Sequence, residues 1–169
     1  MTIYLNSLNQ ALRELLKENK GVYIIGEDIR DPYGGAFKVT KGLSLDFPDR
    51  VLNTPISEAA IVGIATGMAM RGLKPIVEIM FGDFITLAAD QIVNHATKFN
   101  MMYANKVNVP LVIRTPMGGG RGYGPTHSQS LEKYFLGVPG LSVIAPSHFH
   151  NPGELLKPVS YTHLTLPTN

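Results

Sequence analysis

RVLNTPISEAAIVGIATGMAMRGLKPIVEIM, residues 50–80, reads as strand, helix, strand. Arg50-Val51-Leu52-Asn53 is a short apolar run and predicts a strand. Ser57 stands at a helix start, where its hydroxyl can cap free N–H groups. Glu58 to Arg71 follows as a helix that is apolar on every side, so it needs cover on every face. Gly63 and Gly67, four apart, predict the close approach of another backbone, because a helical glycine costs up to about 1 kcal/mol against alanine. Pro75-Ile76-Val77-Glu78-Ile79-Met80 is the next strand.

The same alternation extends in both directions. Upstream, Leu5, Leu8, Leu12, Leu15 and Leu16 recur at helical spacing with Arg13, Glu14, Lys17 and Glu18 between them, an amphipathic helix ended near Gly21. Val22-Tyr23-Ile24-Ile25-Gly26 is a buried strand, and Asp31-Pro32-Tyr33-Gly34-Gly35 a loop. Downstream, Asp83 opens a long helix with a stripe at Ile85, Ala89, Ile92, Ala96 and Phe99. Pro110–Arg114 and Leu141–Ile144 are strands, separated by a loop with five glycines (Gly118 to Gly124) and a short helix from Ser128 to Leu136. Strands alternating with helices predict an α/β fold, a doubly wound, mostly parallel sheet with helices on both faces. Ligands bind such sheets beyond the carboxyl ends of the strands. The loops beginning at Glu27, Asn53, Phe81 and Thr115 all lie there.

Composition narrows the classes. The 169 residues suffice for one core. With 44% hydrophobic and 17% charged residues the chain reads as globular, not disordered. Fifteen basic and 13 acidic residues give a net charge of +2 with no basic block, which argues against a nucleic-acid partner. No apolar stretch reaches the roughly 20 residues of a membrane span, and the first residues lack a signal-peptide pattern. The absence of cysteine excludes disulfides and thiolate chemistry and is compatible with the expected cytoplasmic location.

The end of the chain departs from the pattern. Residues 1–157 read as one domain. Residues 158–169, from Pro158 to Asn169, interrupt a helix begun at Gly153 and resemble the translated read-through of a sequencing adapter. They are expected to be a non-native tail outside the fold of a gene fragment.

Several residues could carry chemistry. Glu58 opens an otherwise apolar helix; a structural carboxylate there gains about 0.3–1 kcal/mol from the helix dipole. Glu27-Asp28 ends the first strand, and Asp90 interrupts an apolar helix. Acids converging on one apolar crevice raise one another's pKa values and share protons. His127 follows the glycine loop, and an imidazole titrates near neutrality. That loop lacks the Gly-Lys-Ser/Thr ending of a P-loop and the dinucleotide spacing, so it is expected to cover a site instead of cradling phosphate. His148 and His150 have no third ligand in view.

Gly26-Glu27-Asp28, Tyr33-Gly34-Gly35-Ala36-Phe37, Thr54-Pro55-Ile56-Ser57-Glu58, Asp90-Gln91-Ile92-Val93-Asn94, His127-Ser128-Gln129-Ser130 and Pro139-Gly140-Leu141 occur in order. Together, over residues 1 to about 157, they resemble the E1 beta subunit of the pyruvate and branched-chain 2-oxo acid dehydrogenases, a family of transketolase-like thiamine enzymes. The resemblance implies a pyrimidine-binding domain in which Glu58 hydrogen-bonds N1′ of thiamine diphosphate and favours the imino form that takes the C2 proton. It implies that Met80 and Phe84 flank the aminopyrimidine ring. It makes His127 an active-site residue near the substrate and the incoming lipoyl group. Glu27 and Asp90 match acidic positions on a proton path between two active sites or at a subunit interface; Leu87 stands where a polar residue often continues that path. The Leu111 carbonyl matches a potassium ligand (K+), the other ligands of which would fall beyond residue 157.

By the same resemblance the whole enzyme decarboxylates a 2-oxo acid and passes the acyl group to a lipoyl-bearing E2. No Gly-Asp-Gly with a downstream Asn is present, so Mg2+ and the diphosphate are expected from an E1 alpha subunit in an alpha2beta2 assembly. A C-terminal transketolase-type domain is expected to be absent. A transketolase or deoxyxylulose-phosphate synthase fragment is one rival reading, which the His127–Ser130 segment disfavours. A non-catalytic assembly module is another; it would have no use for Glu58. The all-apolar helix predicts that the isolated chain self-associates or aggregates.

Overall fold

The computed structural model describes residues 3–160 and 165–167. Its helices are α1 (Ile3–Glu18), a short α2 (Leu43–Asp46), α3 (Glu58–Met70), a short α4 (Phe99–Met102) and α5 (Pro152–Val159). Its strands are β1 (Val22–Gly26), β2 (Val51–Asn53), β3 (Lys74–Glu78), β4 (Val112–Arg114), β5 (Ser142–Ile144) and β6 (Thr165–Pro167). They form one sheet in the order β2-β1-β3-β4-β6-β5, with every pairing parallel.

Strand alternation sorts the core into two layers. Val22, Ile24, Val51, Ile76 and Val112 face α1, where Leu8, Ala11, Leu12, Leu15 and Leu16 cover them. Their neighbours Ile25, Val77 and Ile113 face α3 and the segment after β3. Each side chain points opposite to the last, so a strand buried on both faces must be apolar throughout. That is why the strands were legible as unbroken apolar runs. The expected doubly wound α/β fold is the one observed.

Several local expectations need correction. The long helix opened by Asp83 is a 3₁₀ helix (Gly82–Ala88), a π-helical turn (Gln91–Ala96) and then α4. Its buried stripe is Ile85, Ala88, Ile92 and Ala96, with Ala88 in the place expected for Ala89. A 3₁₀ turn advances three residues per turn, so the stripe begins at a spacing of three before widening to four. The segment from Ser128 holds only a 3₁₀ turn at Glu132–Tyr134, pinned by buried Leu131 and Phe135. In α3, Ser57 occupies the cap position without making a side-chain cap bond. Gly63 meets the Gln91 side chain and Gly67 meets nothing within 4 Å, so no backbone among the described residues uses either close approach.

The interruption expected at Pro158 does not end the last helix. Helix α5 runs through Pro158 to Val159 and docks on α1 through a Lys157–Glu14 ion pair and a Ser7–Asn151 hydrogen bond. The backbone of Thr165–Pro167 then fills the place between β4 and β5. Ladder bonds are made by main-chain groups, so an extended segment of almost any sequence can complete a vacant row.

Candidate active site

Order β2-β1-β3-β4 means that the chain leaves β1 toward one side of the sheet and β3 toward the other. A crevice opens between the carboxyl ends of two such strands. The loops after β1 and β3 meet there, joined by those after β2 and β4.

Glu58 is the first residue of α3 and is 5% exposed. No donor among the described residues bonds its side chain. Glu27, just beyond β1, is equally buried. Burial and then the charge of Glu58 push the Glu27 carboxyl above the usual carboxylate range, against the Met80 backbone N–H that bonds it. The two carboxylates expected to converge do so. Asp90 does not join them. It lies exposed at the start of the π-helical turn, accepting from Asn94 Nδ2 at 2.8 Å and Gln91 Nε2 at 3.3 Å, with Leu87 also exposed nearby in sequence. Within this chain Glu27 and Asp90 therefore form no continuous relay.

Aromatic rings wall the crevice. His127, on a 3₁₀ turn after the glycine loop, stands edge-on to Phe81 and Phe84, with centroids 4.8 and 5.1 Å apart. Phe81 in turn meets Tyr123 and Phe37 at 5.5 and 6.4 Å. Phe84 and His127, expected at the ring slot and near the substrate, meet in this wall, and Met80 lies two residues beyond β3. Phe37, Phe81 and Tyr123 were not, since a ring in a loop has no periodicity to announce it. Arg121 lies over Phe37 at 5.3 Å and donates to the Gly118 carbonyl, which folds the glycine loop onto the β1–β2 loop. Gly118, Gly120, Gly122 and Gly124 all have positive φ, so the path of this loop depends on glycine.

Beneath the rings lies an ion pair that sequence alone did not disclose. Glu78 and Arg114, opposite each other at the ends of β3 and β4, pair at 2.5 Å with 2% exposure each. Glu78 Oε1 also accepts from Ala36 N at 2.9 Å, anchoring the β1–β2 loop. A Cβ on Gly35 would come within 2.7 Å of that oxygen, and Gly35 has φ +74°. The next residues, Phe37 and Lys38, also hold positive φ (54° and 66°), a strained conformation that anchoring must impose.

Thr54 Oγ1, Asp83 Oδ2, Thr115 Oγ1 and Arg121 Nε are buried at this edge without partners. Each such atom costs about 1–3 kcal/mol, and they gather where water or a ligand supplies the missing bond. Leu111 is fully buried just ahead of β4, at the opposite edge of the sheet. A hollow of about 400 Å³ lined by Ala96, Val109 and Leu141 lies at that amino edge too. His148 and His150 are exposed, with His150 Nδ1 2.9 Å from Ser147 Oγ. Among the described residues no group of three or more His, Asp or Glu could hold a metal.

A doubly wound α/β domain with an acidic, aromatic-walled crevice at its switch point is the class these features define. The chain belongs to the transketolase pyrimidine-binding domain family, whose model matches residues 3–159. It is 43% identical over 152 residues to the pyruvate dehydrogenase E1 component subunit beta-1, mitochondrial, of Oryza sativa subsp. japonica, covering 89% of this chain and 40% of that one. It is 40% identical over 155 residues to the 2-oxoisovalerate dehydrogenase subunit beta of Bacillus subtilis (strain 168), covering 91% and 47%. Against the acetoin:2,6-dichlorophenolindophenol oxidoreductase subunit beta of the same organism, identity is 39% over 163 residues, covering 89% and 48%. The chain thus spans less than half the length of these relatives. A solved structure titled "Split gene transketolase, inactive beta4 tetramer" shares the fold, with a TM-score of 0.74 at 22% identity, covering 96% of this chain and 49% of that one. The resemblance to E1 beta subunits drawn from the six motifs is borne out.

Proposed function

We propose that this chain supplies the pyrimidine half of the thiamine diphosphate site in the E1 component of a 2-oxo acid dehydrogenase. The observation that carries the reading is Glu58, buried at the start of α3 beside Glu27 with no donor among the described residues, at the sheet edge where Phe81, Phe84 and His127 form a wall. These residues fit an aminopyrimidine: apolar edges and faces for the ring, a carboxyl for a ring nitrogen, and an unpartnered Thr54 hydroxyl close by in sequence.

Thiamine diphosphate, when bound, supplies an acidic thiazolium C–H and a sink for the electrons left by loss of CO2. Glu58 holds a proton at pyrimidine N1′ and so sets the basicity of the ring's amino group. Burial and the charge of Glu58 favour the protonated form of Glu27 beside it. The rings exclude water, which strengthens each of these interactions. His127 presents its imidazole to the substrate and to the acyl acceptor.

We assign Mg2+ and the diphosphate to an E1 alpha chain, the acyl acceptor to a lipoyl-bearing E2, and Asp90 to a contact between chains. The printed names of the relatives divide among pyruvate, 2-oxoisovalerate and acetoin, and each substrate remains a candidate. The test is to co-express the full-length gene with an alpha subunit and change Glu58→Gln. Decarboxylation of the 2-oxo acid should fall by at least roughly 10²-fold. Near wild-type turnover would overturn the assignment.

A further inference from the structure

Asp83 is a buried carboxylate, 7% exposed, that the chemistry above does not use. An acid in the first turn of a helix ordinarily serves the free N–H groups of that helix. Asp83 instead reaches the segment after β4. Its Oδ1 accepts two bonds from Gln129, from the backbone N–H at 3.2 Å and from Nε2 at 2.9 Å.

The partner's location gives the contact its meaning. Gln129 lies two residues beyond His127. The segment Phe81-Gly82-Asp83-Phe84 therefore grips 127–129 at three points: two ring edges on His127 and one carboxylate on Gln129. The base of the glycine loop is tied to the same segment. Gly82 N donates to the Pro116 carbonyl at 2.9 Å, and Gly118 N donates to the Gln129 carbonyl at 3.1 Å. Between those ties the loop rests on its positive-φ glycines and on the contacts of Tyr123 and Arg121, which sit farther from His127 along the chain. The His127 ring hydrogen-bonds only Thr126 Oγ1 among the described residues, while its backbone N–H donates to the Gly124 carbonyl at 3.3 Å.

We propose that Asp83 is a positioning residue that holds His127 against Phe81 and Phe84 by clamping Gln129. The acceptor is what the clamp needs, so an amide at position 83 serves as well as a carboxylate. The bearing of the clamp on turnover rests on the role given to His127 above.

The test measures carbethoxylation of each histidine by diethyl pyrocarbonate, read by peptide mass spectrometry on the full 169-residue chain. Two hydrogen bonds of neutral strength together shift a local equilibrium about tenfold, so Asp83→Ala should raise the His127 rate by about tenfold, while Asp83→Asn, which keeps the accepting oxygen, leaves it within about twofold of wild type. His95, edge-on to Phe99, reports the fold and should not change. If His95 also accelerates in Asp83→Ala, the variant has unfolded, and Gln129→Glu at the exposed partner decides. It sets like charges together and should release His127 while His95 holds. Two results overturn the proposal: a His127 rate unchanged in Asp83→Ala (or in Gln129→Glu where that variant decides) with His95 intact, or Asp83→Asn releasing His127 as fully as Asp83→Ala. Because the labelling rate needs no cofactor, its failure is distinguishable from failure of the thiamine reading.

Discussion

Glu27 carries a proton in the folded chain over a pH range where the unfolded chain has lost it, because burial and the charge of Glu58 lift its pKa above the ordinary 4.5. The folded state therefore binds more protons there, and stability must fall as pH rises through the raised value. The contribution is fully present below the unfolded pKa and is lost above the folded one. Glu27→Gln cannot ionise and escapes the loss. Its melting temperature relative to wild type should climb as pH rises above the ordinary 4.5. A difference that stays flat as pH rises would contradict the raised pKa. The acids at this site were legible in the sequence because each ends a strand or opens a helix, and strand order brings those ends together. The clamp from Asp83 and the wall of Phe37, Phe81 and Tyr123 were not. They join residues distant in the chain, and no local pattern marks either partner.

At the scale of elements, strands β1 to β5 were legible to within two residues at either end because a strand buried on both faces is apolar throughout. The broken helix after β3 was not, since a short window cannot separate spacings of three and four. The Glu78–Arg114 pair was read as part of two strands without its partnership, although it joins them side by side. It also anchors Ala36, so its energetics extend to the crevice. Arg114→Met leaves a buried carboxylate uncompensated and should cost about 3–5 kcal/mol of unfolding free energy in urea. Glu78→Gln with Arg114→Met removes both charges and keeps an acceptor for Ala36, so the double variant should be clearly more stable than the single one. Equal losses would mean that the charge pair is not what Arg114 contributes.

At the scale of the whole molecule, the sheet covers one face of α3 and leaves the other bare. Helix α3 buries Ile61, Val62, Ala65 and Ala69 but leaves Ala60, Ile64 and Gly67 exposed, with Ile64 at 54%. Ile56 and Leu87 are exposed as well, at 79% and 61%. The all-apolar character of α3 was plain in the sequence; which face stays bare could be seen only once the sheet had covered the other. Apolar surface of this kind favours association. The isolated chain should appear in light scattering as dimers or larger species whose fraction grows with concentration. A monodisperse monomer throughout would contradict this. The strand at Thr165–Pro167 shows the reverse limit of sequence reading, since a segment expected outside the fold supplies backbone to the sheet.

The central claim is that Glu58 activates the cofactor by holding a proton at pyrimidine N1′. Its most direct measurement is the rate at which the C2 proton of bound thiamine diphosphate exchanges with deuterium, followed by NMR after acid quench, in the assembled full-length enzyme with and without Glu58→Gln. Exchange should slow by roughly 10²-fold or more in the variant while the cofactor stays bound. Exchange as fast in the variant as in the wild type would contradict the account.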